Sequence, residues 1–227
     1  MAYTEKEIET AVRAIIARLE SAEQGGEQAG GLPVDVPLGV SNRHIHLTHA
    51  DVETLFGPGY QLTPLKDLSQ PGQFACKEQL TLIGPSMRAI EGVRVLGPER
   101  GATQVEISKT DAYHLKVKPP VRASGDVKGS ASVVIVGPKG TITLPEGCII
   151  ANRHIHLSPD EAARYGLCDD DRVTVDVPDA PRPTRWFDVQ IRVHPSFVAE
   201  MHVDTDDANS VGVGQGAKVR IVEKENR

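Results

Sequence analysis

Two histidines separated by one residue occur twice in this chain, as His44-Ile45-His46 and as His154-Ile155-His156. In an extended strand, side chains at i and i+2 leave the same face. Each histidine pair therefore points one way, while its isoleucine points to a core. Two imidazoles so placed reach one metal ion without distorting the backbone, and imidazole is the commonest protein ligand for zinc-like ions. The alternative is a folding relic whose histidines bond backbone carbonyls. The four can close one tetrahedral site or open two partial ones, and further ligands decide between these. His202 stands in AEMHVDTDDAN, beside acidic residues and after a strand-like run. Glu106 stands in TQVEIS, on a face shared with Gln104 and Ser108 and opposite Val105 and Ile107. Taken alone, a glutamate in that setting reads as solvated. His49, His114 and His194 read as surface residues.

Arginine supplies candidate anion chemistry, because its planar fork of donors matches phosphate oxygens in pairs. Arg100 lies in LGPERGATQ, a turn entering the Glu106 strand, and Arg122 lies in PPVRASGD. Arg43 and Arg153 precede each HxH and leave the opposite strand face, where structural ion pairs are the simpler reading. There is no Walker A loop, no GxGxxG after a strand, no GxSxG elbow and no clear cysteine nucleophile motif.

The elements that must position these residues are mainly strands. QLTLIG, VRVLG, SVVIVG, TITL, RVTVDV, FDVQIRVH and KVRIVEK are short, rich in β-branched residues and closed by turn residues. Helical signals are brief: Thr48 to Leu55, Ser158 to Tyr165 and Asp206 to Ser210, each opened by a capping-type residue. The string Asn-Arg-His-Ile-His-Leu appears at Asn42 and again at Asn152, each time followed by a short helical stretch. Duplication of a barrel-like unit explains this, and gives a mainly β chain of two related β-barrel domains with short capping helices.

The first segment differs. Ile8, Val12, Ile15 and Leu19 form one apolar stripe, so residues 1–20 read as an amphipathic helix. Residues 21–33, opening with SAEQGGEQAGG, read as a flexible linker. A helix this short needs a surface for its stripe. Either its own domain or a partner can provide it.

With 39% apolar residues among 227, the chain can build a core. A net charge of -6 argues against a general nucleic-acid binder, which needs a basic face. Cys76, Cys148 and Cys168 form no CxxC pair, which fits a reduced cytosolic setting. No apolar run is long enough to span a membrane, and the acidic N-terminus does not read as a secretory signal.

Together, GVSNRHIHLT, LSQPGQFA, VRVLGPER, TQVEISKTDA, PPVRASGD, ANRHIHLSPDEA and FVAEMHVDTDDAN resemble the phosphate propanoyltransferases of the propanediol-utilisation type. These are phosphotransacylases of bacterial microcompartments. The resemblance spans about Pro33 to Glu223. It implies exchange of an acyl group between coenzyme A and phosphate. It implies interleaved domains, in which the first HxH strand joins the barrel made mostly by the C-terminal part. The boundaries it suggests are 34–43 plus 152–223 for one barrel and 44–128 for the other, with 129–151 as connecting strands. It also implies two zinc ions. One is held by His44, His46 and Glu106 with the coenzyme A sulfur, the other by His154, His156 and His202 with water or phosphate. Arg100 matches the arginine expected at the phosphate. Residues 1–20 resemble an encapsulation helix, which favours a shell or core protein as its partner, and a homodimer is expected. Two other functions fit the residues: a metal-dependent thioester hydrolase, and a non-enzymatic metal-binding assembly protein.

Overall fold

The computed structural model describes residues 31–225. The helix expected at 1–20 and all but the end of the linker at 21–33 lie outside the described residues. In chain order the first repeat contains β1 (Val34–Ser41), β2 (His44–His46), α1 (His49–Phe56), β3 (Pro64–Asp67), β4 (Phe74–Ile83), β5 (Ala89–Gly97), β6 (Gln104–Glu106), α2 (Lys109–Leu115), β7 (Val121–Arg122) and β8 (Ala131–Val136). The second contains β9 (Thr141–Ala151), β10 (His154–Leu157), α3 (Pro159–Tyr165), β11 (Arg172–Val177), β12 (Thr184–Val193), β13 (Glu200–Asp204), α4 (Thr205–Val211) and β14 (Lys218–Lys224).

These strands close two six-stranded barrels. One runs β1-β13-β10-β12-β11-β14 and closes where β14 pairs with β1. The other runs β4-β5-β2-β6-β9-β8 and closes because β8 pairs with both β9 and β4. Small barrels of this kind are filled by their own side chains. Leu38, Ile155, Val175, Ile191, Met201 and Ile221 fill the first, and Ile45, Leu80, Leu82, Val95, Val105, Ile135 and Cys148 the second. Ile45 and Ile155 are fully buried, as the i, i+2 argument requires of the residue between two site-facing histidines.

The barrels repeat each other strand for strand. β10 is antiparallel to β13 and parallel to β12, while β2 is antiparallel to β6 and parallel to β5. The first strand of each repeat is exchanged. β1 completes the C-terminal barrel, yet the chain runs from it straight into β2 of the other. β9 completes the central barrel, yet runs straight into β10. The strand that crosses is thus β1, ending at Ser41, and the first HxH strand stays with the central segment. Residues 129–151 do more than connect. They contain β8 and β9, which close the second ring. The chain changes barrels twice, at Asn42-Arg43 and Asn152-Arg153, and each change delivers an HxH strand to the junction.

Two helices are capped where the sequence suggested, at Thr48 and Ser158, while the third is capped at Asp204, two residues before its expected start at Asp206. Thr48, Ser158 and Asp204 accept from the backbone N–H three residues on, at Asp51, Glu161 and Asp207. The helix α2 was not among the expected ones. Its signal is the capping box of Ser108 and Asp111, which sits at the end of a strand-like run. Among the described residues no helix is long and apolar enough to cross a membrane.

Candidate metal centres and active site

Register places the donors. On β2 and β6, His44 faces Glu106 and His46 faces Gln104. On β10 and β13, His154 faces His202 and His156 faces Glu200. Glu106 and His202 therefore hold equivalent positions. His44, His46 and Glu106 bring three potential ligand atoms within 4.8 Å of one another, and so do His154, His156 and His202. The duplicated HxH makes two triads, each completed by the strand across from it.

The surrounding bonds orient these donors. Nδ1 of His44 lies 2.8 Å from the Asn42 carbonyl, and Nδ1 of His154 lies 2.8 Å from that of Asn152. Each Nδ1–H donates there, leaving the Nε2 lone pair free, the arrangement usual for metal-bound histidine. The carbonyl bonds expected of a folding relic are thus present, and they are equally compatible with the geometry a metal ligand needs. Glu106 is buried, contrary to the solvated reading of it in isolation. Its Oε1 accepts from the Gln104 amide at 2.6 Å and the Ser124 hydroxyl at 2.8 Å, while Oε2 lies 3.5 Å from His44 Nε2.

Among the described residues three buried nitrogens lack a hydrogen-bond partner: Nδ1 of His46, Nδ1 of His156 and Nε2 of His202. Nε2 of His202 is 2.9 Å from Glu200 Oε2 but is not aligned for a hydrogen bond. Orphaned polar atoms in a buried site call for a missing partner. Two imidazoles with a carboxylate, or three imidazoles, make a donor set that suits zinc. The residues fit the ions the family implies.

Electrostatics agree. Burial, together with the neighbouring His44, holds the His46 imidazole at a pKa of about 2, and burial with His154 does the same for His156. Burial and His202 hold His154 at about 4. These rings are neutral, which is the ligating form. Burial opposes charge on both His44 and Glu106, yet their proximity raises the His44 pKa and depresses that of Glu106.

Both triads open on one cleft of about 740 Å³, a size that suits an extended organic ligand. Arg100 lines it, with Nη1 3.3 Å from Ser124 Oγ and its backbone N–H bonded to Leu47 O. Arg94 and Arg192 line it as well, and neither was singled out from sequence. Glu200 was missed too, although Glu200-Met201-His202 has the same i, i+2 spacing as the HxH. Arg122 turns away, bonding Asp126 and the Lys128 carbonyl within its own loop. Arg43 and Arg153 form paired bonds to Asp111 and Asp207. They clamp α2 and α4, which follow the strands bearing Glu106 and His202. His49, His114 and His194 are exposed.

The fold and site define a duplicated-barrel protein with two facing imidazole clusters over an arginine-lined cleft. Residues 37–214 match the family model described as phosphate propanoyltransferase. The chain is 55% identical to the phosphate propanoyltransferase of Thermotoga maritima over 82% of its own length and 88% of that protein's. It is 55% identical to that of Lachnoclostridium phytofermentans, covering 86% and 91%, and 42% identical to that of Listeria monocytogenes, covering 85% and 90%. The chain belongs to the phosphate propanoyltransferase family, whose members are phosphotransacylase enzymes.

Proposed function

We propose that the chain exchanges an acyl group, propanoyl foremost, between coenzyme A and inorganic phosphate. It does so with two zinc ions, one at His44, His46 and Glu106 and one at His154, His156 and His202. The observation that carries this reading is the convergence of both donor triads and Arg100 on one cleft. When bound, zinc supplies a Lewis acid that favours thiolate and polarises carbonyl or phosphoryl oxygens.

The chain's own residues account for the rest. The Asn42 and Asn152 carbonyls fix the ring orientations of His44 and His154. Gln104 and Ser124 hold Glu106 with one oxygen toward His44. Arg100 is the phosphate residue. Burial and nearby Arg192 disfavour its charge and Glu106 favours it, with a net lowering that still leaves a guanidinium charged. Such a cation, partly stripped of water, binds an anion more strongly than a surface arginine does. By fixing phosphate beside the acyl carbon it turns an encounter into an oriented attack. Cys76 and Cys148 are core residues whose thiols burial pushes up to about 11 and about 12, so neither serves as a nucleophile. This favours direct transfer to phosphate over an acyl-enzyme.

The enzyme works in a bacterial microcompartment, within a pathway such as propanediol degradation. Residues 1–20 dock on a shell or core protein, and the chain forms a homodimer. The amphipathic stripe in the sequence supports the docking, and the family resemblance supports all three.

The test measures coenzyme A release and acyl phosphate formation from acetyl-, propanoyl- and butanoyl-coenzyme A, with and without phosphate. The expected result is release that requires phosphate, is fastest with propanoyl, and stops on chelation. Release without phosphate makes the protein a hydrolase. Bound zinc without turnover makes it an assembly protein.

A further inference from the structure

Glu200 is a buried carboxylate for which the reaction above has no role. It is 5% exposed, and among the described residues no lysine or arginine forms an ion pair with it. Its neighbours are neutral donors and one imidazole. The Ser69 hydroxyl and the Gln70 amide reach it from the other barrel, the amide at 3.5 Å, and the Gln215 amide lies at 3.3 Å. Space is reserved for it as well. A Cβ on Gly39 would stand 2.9 Å from the Glu200 Cδ, so a side chain there displaces the carboxylate. An ionised carboxylate taken out of water is costly unless a cation faces it.

The internal duplication shows which cation. In the central barrel the carboxylate faces His44 and a glutamine, Gln104, faces His46. In the C-terminal barrel a histidine faces His154, and the carboxylate, Glu200, faces His156. The negative charge has moved two residues along the strand and has not been lost. Each candidate centre thus offers a dication one nearby carboxylate.

Resting on the two-metal reading, we propose that Glu200 is a positioning residue of the second centre. Its carboxylate supplies the negative charge that a three-histidine set lacks, with Oε2 2.9 Å from His202 Nε2. Ser69 and Gln70 hold Glu200 in turn. The Gln70 amide also spans to Val198, donating to its carbonyl at 3.0 Å, while its oxygen accepts from the Val198 N–H at 3.2 Å. The LSQPG segment thereby lets one barrel brace a charge that belongs to the metal site of the other.

Glu200→Gln keeps the shape and removes the charge. Wild type and variant are stripped, reloaded with zinc and titrated against a chromophoric chelator, with bound metal counted. The expected variant holds the His44 ion as wild type does and binds the other ~10–100-fold more weakly. Stripped of metal, it melts no lower than stripped wild type, because it buries one charge fewer. Unchanged affinity at the second centre, equal weakening of both ions, or a stripped variant that melts lower overturns the proposal and leaves the two-metal reading intact. Wild type that loads no more zinc than His154→Ala overturns both.

Discussion

Glu106 stands directly across an antiparallel pair from His44, with 3.5 Å between its Oε2 and the histidine Nε2. The same register position in the other barrel holds His202, across from His154. A carboxylate and an imidazole thus occupy equivalent places in the two halves, and sequence likeness between the repeats does not reveal the pairing. The register of the strands does.

Ligands of one ion act as a unit, since loss of either misplaces it. His154→Ala and His202→Ala are each expected to lower the transfer rate by more than ~100-fold. The double variant is expected to be little worse than either single one. Steady-state rates on the three proteins, with zinc content measured alongside, check this. A double variant whose loss equals the product of the two single losses shows that the residues do not share an ion.

Arg100 is expected to act on phosphate more than on coenzyme A. A charge-assisted hydrogen bond contributes about 2 kcal/mol, so Arg100→Ala should reduce kcat/KM for phosphate ~30-fold. The KM for the acyl-coenzyme A should change far less. Arg100→Lys keeps the charge but loses the paired geometry, and is expected to recover only part of the loss. Initial rates with both substrates varied decide. An unchanged phosphate dependence makes the arginine structural.

Much of this arrangement is legible in the residues alone. The HxH repeat carries the duplication, the strand face and the buried isoleucines, because period-two geometry is local. His202 and Glu106 draw notice in the sequence, but their partnership with particular histidines depends on strand register, which is a long-range property. The exchange of β1 and β9 is only partly legible. Nothing local marks a strand as belonging to one barrel or the other when the next strand begins three residues later. Arg94 and Arg192 escape notice because each sits in an alternating strand where an arginine reads as solvent-facing. The cleft that receives them is formed by both barrels together.

The clamp formed by Arg43 gives a stability prediction. Asp111 is buried, its side chain 6% exposed, while that of Arg43 is 37% exposed. Arg43→Ala strands a buried carboxylate, but water partly screens the lost pair. A loss of about 1 kcal/mol follows, or a fall in Tm of ~2–4 °C. Arg153→Ala should cost less, because its partner Asp207 is 24% exposed and better hydrated once alone. Thermal melts of both variants, with metal bound, check the order. A larger fall for Arg153→Ala would count against burial of the partner as the deciding factor.

The final prediction concerns the N-terminal segment. Ile8, Val12, Ile15 and Leu19 recur at helical spacing on a short segment joined by a glycine-rich linker. Among the described residues the two barrels close and have filled cores, so the stripe is expected to be dispensable for catalysis. Deleting residues 1–24 should leave transfer by the purified protein within about twofold of the full chain, as expected if the segment adds nothing to either core. The truncated protein should stay outside microcompartments when coexpressed with shell proteins. A short apolar stripe of this kind suits recognition in a partner's groove. Grafted onto a fluorescent protein, the same segment should carry it into the shells, seen as puncta in place of diffuse signal. A diffuse graft together with an inactive or insoluble truncation would show that the segment belongs to the folded enzyme and serves no address.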